Sequence, residues 1–461
     1  MMKRWSEPTK SILLIFLISI SFVLTSMLWN YQPQFELISP PTYTASDKVG
    51  QPKQIEELVE PRAIVFHYGL NRHTKAVYND AQYRVITSQM NKWYFYDFVA
   101  YPLTDDKWES LTRTTKGVEI QFGAAVPVSV ISQLVTFRGD MQEQMKGIER
   151  IWLYYEEAEG VVYALFISNQ DRQVVRARTV VDPKDLEDSY LSLGKYLPEQ
   201  ILKVYKEDDS LARRNSSMTF WQIFYLPKEA QKMREFNYNY LPITDKQFID
   251  TYFLDPSLVR QIIERDGTMI YTDGNRSIQI RQGQQAMTFT SPALEEAETL
   301  LTNEDKLRES IAFVNQHLGW TDEFRFESLE ERGESGAQIT FRQHIGAYPV
   351  VSNEGHELDQ IQVTLEQGQV ISVKRSLVDL DTFFQYKDIT IMSAEELYHY
   401  LESEEVDTSE ISNIYLAYHL NVLPGYAELK PSWVVEKWGT LYEVIDARSR
   451  IPGRGKENGL E

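Results

Sequence analysis

The hydropathy pattern opens on an uncharged run of nineteen residues, 11–29, preceded by Lys3, Arg4 and Lys10. As a helix it would rise about 1.5 Å per residue and cover roughly 28 Å, close to the hydrocarbon thickness of a bilayer. A cleaved secretory signal shares this basic start and apolar core. The run is longer than the usual apolar region of such signals, and residues 27–33 offer no small-residue cleavage site. The segment 11–29 is therefore expected to be an uncleaved transmembrane signal anchor. Basic residues stand before it and none follows until Lys48, which places 1–10 in the cytoplasm and the bulk of the chain outside. Trp29 and Tyr31 suit the outer interface, and Trp5 the inner one.

Beyond the span, polar residues with Pro33, Pro40, Pro41 and Pro52 mark 30–61 as an extended stalk. A first α+β domain is then expected over 62–182. Its pattern predicts strands at 63–68, 93–100, 118–122, 150–157, 161–168 and 173–180, and helices near 80–90, 105–112 and 127–137. A middle domain, 183–292, is expected to carry helices at 185–193, at 256–264 and after the capping-box residues Thr244 and Gln247. It also shows a β-like run at 219–226 and strands at 268–271, 277–281 and 287–290, with Asp273-Gly274 read as a type I′ hairpin turn. A last domain, 293–448, combines an amphipathic helix over 294–318, with Asn303 as a candidate break, and a second helix capped by Ser393 and Glu396. Its strands are expected at 324–329, 337–344, 360–366, 370–377, 411–420, 429–437 and 441–446. The tail 449–461 reads as disordered. The fold class expected is thus α+β: one N-terminal transmembrane helix followed by a multi-domain ectodomain of antiparallel sheets with helices.

Two hairpins share their spacing: Ala164–Ser168, Asp171, Val174–Arg178 and Asp182 against Ile361–Leu365, Gly368, Val370–Lys374 and Asp379. Either one module was used twice, or a hairpin followed by a helix-capping aspartate has recurred by chance.

Charge changes the picture of what lies outside. The chain carries 47 basic and 67 acidic residues, a net charge of −20, and such a surface disfavours nucleic acid and anionic head groups. There is no cysteine, which excludes disulfides, thiolate metal sites and thiol catalysis. Catalytic signatures are missing too. His67, His73, His317, His344, His356, His399 and His419 lack metal-ligand spacing, and 355–359 reads as a polar turn rather than a metal site. The turn Gly333–Gly336 is no nucleophile elbow, and Gly453-Arg454-Gly455-Lys456 is no phosphate loop. Acidic pairs such as Glu156-Glu157 and Glu404-Glu405 read as solvated faces. Trp93 to Tyr96, Tyr101, Trp152, Tyr154 and Tyr155 are expected to divide between core and edge packing, with an exposed binding surface as the alternative. No catalytic residue, cofactor or metal is assigned.

The span itself can carry specificity. In a seven-residue register Ile12, Ile15, Ser19, Phe22, Ser26 and Trp29 share one stripe, whose serines allow close helix approach and cross-helix hydrogen bonds. A plain anchor would tolerate the same serines, because a hydroxyl can bond its own backbone.

The basic start and span running into Trp29-Asn30-Tyr31-Gln32-Pro33, the hairpin Tyr271 to Arg276, Leu429 to Val435 and Tyr442 to Ala447 give the chain a recognisable layout. It resembles the YycH family, membrane-anchored regulators of the WalK/WalR (YycG/YycF) two-component system of low-GC Gram-positive bacteria. The resemblance implies a several-domain α+β ectodomain, part of it YycI-like and PepSY-like, and no enzymatic activity. It implies association with the sensor kinase WalK and with YycI, partly through transmembrane helices, and an effect on cell-wall metabolism. An extracytoplasmic module sensing a wall fragment, peptide or cation is the alternative, and an inhibitor of a wall hydrolase or protease, of PepSY type, is a third.

Overall fold

The computed structural model of the chain describes residues 14, 16–22, 24–25, 49–206, 220–281, 285–292, 301–333, 335–353, 357–408, 411–437 and 443–448. The chain divides into two compact units, Met1–Thr44 and Ala45–Glu461. In the first, all the described residues are helical and exposed. No helix among the described residues is long and apolar enough to cross a membrane; much of the expected span, residues 11–13, 15, 23 and 26–29, lies outside them.

In the second unit the strands form two sheets. The first takes β1 (Ala63–Tyr68), β2 (His73–Val77), β3 (Tyr94–Ala100), β4 (Lys116–Pro127), β5 (Thr136–Arg138), β6 (Gly147–Glu156), β7 (Val161–Ser168), β8 (Gln173–Thr179), β9 (Glu199–Lys206) and β10 (Trp221–Pro227). Their order is β10-β9-β2-β1-β4-β6-β7-β8-β3-β5. The second begins with β11 (Gln231–Pro242), β12 (Arg260–Ile263), β13 (Met269–Thr272), β14 (Ser277–Ile280), β15 (Ala286–Thr290), β16 (Phe324–Arg332) and β17 (Gly336–Ile345). It continues with β18 (Tyr348–Ser352), β19 (Gln360–Glu366), β20 (Gln369–Ser376), β21 (Val378–Ile391), β22 (Ile411–Leu423), β23 (Tyr426–Lys437) and β24 (Glu443–Asp446). The architecture is α+β and sheet-rich. Pairing is antiparallel except for β3 with β5 and β18 with β22, which are parallel. The segment 183–292 supplies strands to both sheets, β9 and β10 to the first and β11–β15 to the second.

Strand alternation explains the core. In β1, β4 and β6 the residues Ile64, Phe66, Val118, Ile120, Ile151 and Leu153 turn to one face and join a core shared with Phe248, Phe289, Val314, Phe341 and Val373 of the second half. The opposite face is largely buried as well, and there His67, Glu119 and Arg150 stand among apolar residues. The helices owe their starts to capping boxes, at Thr244 with Gln247, Thr302 with Asp305, and Ser393 with Glu396. The helix Asn303–Gln316 buries Leu307, Ile311 and Val314, one face at helical spacing. The helix Ala394–Ser403 buries Ala394, Leu397 and Leu401, and each leucine contributes about 1.5–3 kcal/mol on leaving water.

Several expectations need correction. The helix expected over 127–137 is a single turn, Val128–Ile131, followed by β5, because β-branched Val128, Val130 and Ile131 crowd a helical turn. The helix expected over 256–264 is a three-residue turn, Pro256–Leu258, that leads into β12. Asp273 and Gly274 sit in a four-residue loop in which the Asp273 carboxylate accepts from the backbone of Asn275 and Arg276. The two-residue turn with positive φ throughout is Gln367-Gly368, between β19 and β20. The stalk ends earlier than residue 61: Gly50 and Gln51 bond to the backbone of Leu318 and Trp320, and Ile55 and Leu58 are buried. The two similar hairpins diverge after their second strand, since Asp182 accepts from the Asp185 amide at a helix start whereas Asp379 lies within β21.

Candidate functional site

Of the predicted stripe, Ser19 and Phe22 fall on described helical residues and are exposed, Phe22 at 75%. Ile12, Ile15, Ser26 and Trp29 lie outside the described residues. Nearby, the Thr25 hydroxyl donates to the Ser21 carbonyl at 2.8 Å, the self-satisfying bond that lets a hydroxyl sit on an apolar helix. The aromatic cluster is largely core: Trp93, Phe95, Trp152 and Tyr154 are buried, and Arg176 and Lys107 lie over the Tyr101 ring. A group of exposed aromatics stands elsewhere, at Phe383, Phe384 and Tyr386 on the edge strand β21.

Ionisable chemistry collects on the second face of the first sheet, and strand register puts it there. His67 of β1 is opposite His73 of β2 and Gly117 of β4, while Glu119 is opposite Val65 and Trp152. His67 stacks on Trp152 with ring centroids 4.5 Å apart, and Tyr225 of β10 closes over both histidines. A Cβ at position 117 would come 2.4 Å from the Leu153 carbonyl oxygen and 3.0 Å from Trp152 Nε1, so glycine makes room for the stack.

The bonding within this group is directional. Burial, and then the charge of His67, lower His73 from 6.5 to about 3. A neutral His73 whose Nε2 faces the Asn71 side-chain oxygen at 3.4 Å accepts at Nδ1, and His67 Nδ1, 3.0 Å away, is then the donor. The other His67 nitrogen lies 3.3 Å from Glu119, whose second oxygen is 3.7 Å from Arg150 and accepts from Gln121 at 3.0 Å. Burial alone would raise the Glu119 carboxyl. His67 at 3.3 Å and the Arg150 charge outweigh it and hold the group below the ordinary range.

This buried group backs onto a cleft of about 410 Å³ between the two sheets. The first sheet lines it with Lys75, Gln121, Arg150, Gln200 and Tyr225, joined by Arg62 just before β1; Tyr348, Tyr415 and Trp433 face them from the second. The Arg62 guanidinium lies 4.6 Å from the centre of the Tyr415 ring and so ties the halves together. Lys75 Nζ donates to the Tyr225 carbonyl at 2.7 Å, and burial, then the Arg62 charge, lower it to about 8.

The remaining histidines stay apart. His317 Nδ1 lies 2.8 Å from the Phe313 carbonyl, and His344 Nδ1 lies 3.0 Å from that of Arg342. His419 faces Asn353, His399 is exposed, and His356 is outside the described residues. Among the described residues no group of three or more His, Cys, Asp or Glu could hold a metal. Sequence reading noted His67 and His73 only as scattered and passed over Glu119 and Arg150. The available signal was an ionisable residue inside a strand that is apolar on both sides.

Comparison with known proteins covers the chain almost end to end. The family model described as YycH protein, N-terminal domain, matches residues 7–192, and the one described as YycH protein, C-terminal domain, matches 222–446. A Bacillus subtilis (strain 168) protein described as two-component system WalR/WalK regulatory protein YycH is 22% identical over 491 residues, with 100% of both chains covered. The crystal structure of YycH from Bacillus subtilis superposes with a TM-score of 0.66 at 19% identity, over 87% of this chain and 99% of that one. That likeness establishes the fold, and the two family matches establish kinship: the chain belongs to the YycH family.

Proposed function

We propose that this protein is a non-enzymatic, single-span membrane regulator of WalR/WalK signalling, with a cytoplasmic N-terminus and its bulk outside the cell. It binds the sensor kinase WalK together with YycI and so adjusts cell-wall metabolism. The observation that carries this reading is the end-to-end relation to a curated WalR/WalK regulatory protein. The uncharged, span-length run at 11–29 supports the anchored location. Kinship of the C-terminal part with YycI and PepSY-like modules belongs to the same reading.

Within the membrane, the stripe Ile12, Ile15, Ser19, Phe22, Ser26 and Trp29 packs on a kinase helix, while the exterior part holds YycI or the outer domain of the kinase. A kinase equilibrium shifts only by the difference in binding free energy between its two states, and a ten-fold shift needs about 1.4 kcal/mol. A few helix contacts supply that. The test replaces residues 1–30 with an unrelated span and measures WalK co-purification and WalR phosphorylation. Loss of both is expected; retained association and regulation would refute the stripe.

A further inference from the structure

We propose that the cleft between the two sheets binds a small oxyanion-bearing ligand, a carboxylate or phosphate, held by Arg62, Lys75 and Arg150. The regulatory reading above is not needed for this inference. Three observations carry it.

First, the cleft gathers cations in a chain of net charge −20. Neither Arg62 nor Lys75 has a carboxylate within ion-pairing distance among the described residues; Arg62 lies over an aromatic ring and Lys75 on a carbonyl. Arg62 is close enough to disfavour the charge on Lys75. The two acidic residues on the walls are engaged elsewhere: Asp80 accepts from the Val77 amide at 2.8 Å and Glu149 from the Gln170 amide at 2.8 Å.

Second, the lining holds hydrogen-bonding groups that are buried and unsatisfied. Arg150 is 9% exposed and its Nη1 makes no hydrogen bond among the described residues, its contact with Glu119 being a long 3.7 Å ion pair. Trp433 is fully buried, lines the opposite wall and has no acceptor for its indole N–H among the described residues. An unmet buried donor costs about 1–3 kcal/mol, and a guanidinium more. An oxyanion supplies the acceptor such a donor lacks, and a guanidinium fork matches carboxylate and phosphate geometry.

Third, a volume of about 410 Å³ falls within the range of small-molecule sites. Tyr348, Tyr415 and Phe224 give such a ligand apolar walls. Because both sheets contribute, an occupant would fasten one half of the exterior unit to the other.

The test titrates the purified full-length chain in detergent, at constant ionic strength, with inorganic phosphate and separately with citrate, and reads heat by calorimetry. Saturable binding of one or both is expected, weakened at least about ten-fold in Arg62→Gln and in Lys75→Met and unchanged in Arg308→Gln, which alters an exposed pair on the helix Asn303–Gln316. Tighter phosphate assigns the ligand to phosphate esters, and tighter citrate to carboxylates. A second measurement avoids substitutions: amine acetylation followed by mass spectrometry, in which the bound anion is expected to slow labelling of Lys75 and leave exposed Lys228 unaffected. Absence of saturable heat together with unprotected Lys75 would overturn the proposal, as would wild-type affinity in both cleft variants.

Discussion

Replacing His73 with asparagine removes one buried titration from the first sheet, and its size can be worked out. His73 is 1% exposed and its imidazole titrates near 3 in the folded chain against 6.5 ordinarily. The folded value is the lower one, so between these limits the unfolded chain binds more protons. The contribution of His73 is fully present above 6.5 and is lost as pH falls towards 3. Linkage puts the loss between about pH 8 and about pH 5 near 2 kcal/mol. The groups facing the ring are His67 from β1, Glu119 behind it and Tyr225 from β10. Urea unfolding of the full-length chain and of His73→Asn, followed by tryptophan fluorescence at both pH values, isolates this increment. Titrations that both chains share, such as those of Asp322 and His317, cancel in the difference. The variant is expected to be less stable at the higher pH, where it gives up the His67 contact, and to close about 2 kcal/mol of that gap at the lower one. A gap independent of pH would show that His73 is not held neutral by burial and would refute the reasoning.

Three further outcomes are expected. Gly117→Ala drives a Cβ to 2.4 Å from the Leu153 carbonyl oxygen; because backbone cannot yield, thermal melting should show a loss of about 1–3 kcal/mol. Ser393→Ala removes the side chain that accepts from the Glu396 amide at 3.3 Å and should cost about 1 kcal/mol in urea titrations. Asp322 is raised to about 7 by burial and then by the Asp379 charge. Its folded value is the higher one, so its contribution is present below the ordinary carboxylate range and is lost as pH rises through 7. Asp322→Asn should therefore raise the melting temperature most above neutrality, less near pH 5, and have little effect only below the ordinary carboxylate range.

Local signals located many elements. β1, β7 and β19 have the expected bounds, because β-branched and aromatic runs ended by turn residues leave few alternatives. The helices after Thr244 and Ser393 start where their capping boxes are written, whereas the helix expected over 294–318 begins at its candidate break, Asn303, and ends at Gln316. Strands β2, β9, β11, β18 and β21 were not expected. β21 shows the cause: it carries Asp379, Asp381, Asp388 and Lys387, residues that strands disfavour, and its extended form is held by pairing with β11 along most of its length. Local preference could not reveal a strand whose stabilisation comes from a partner about 150 residues away.

The sequence by itself determined the class of molecule: a basic start and an uncharged span-length run, an acidic cysteine-free remainder, α+β patterning and the motifs of the YycH family. These follow from composition and short-range periodicity, which folding does not alter. Only the tertiary structure decided where the chemistry collects. His67, Glu119 and Arg150 lie up to 83 residues apart in the chain. They become neighbours because the register of β1, β4 and β6 places them on one face, and a one-residue slip would have sent each to the other side. The cleft depends further on β22 and β23 of the second sheet lying opposite that face. Such a juxtaposition is a property of long-range packing, and no window along the chain contains it.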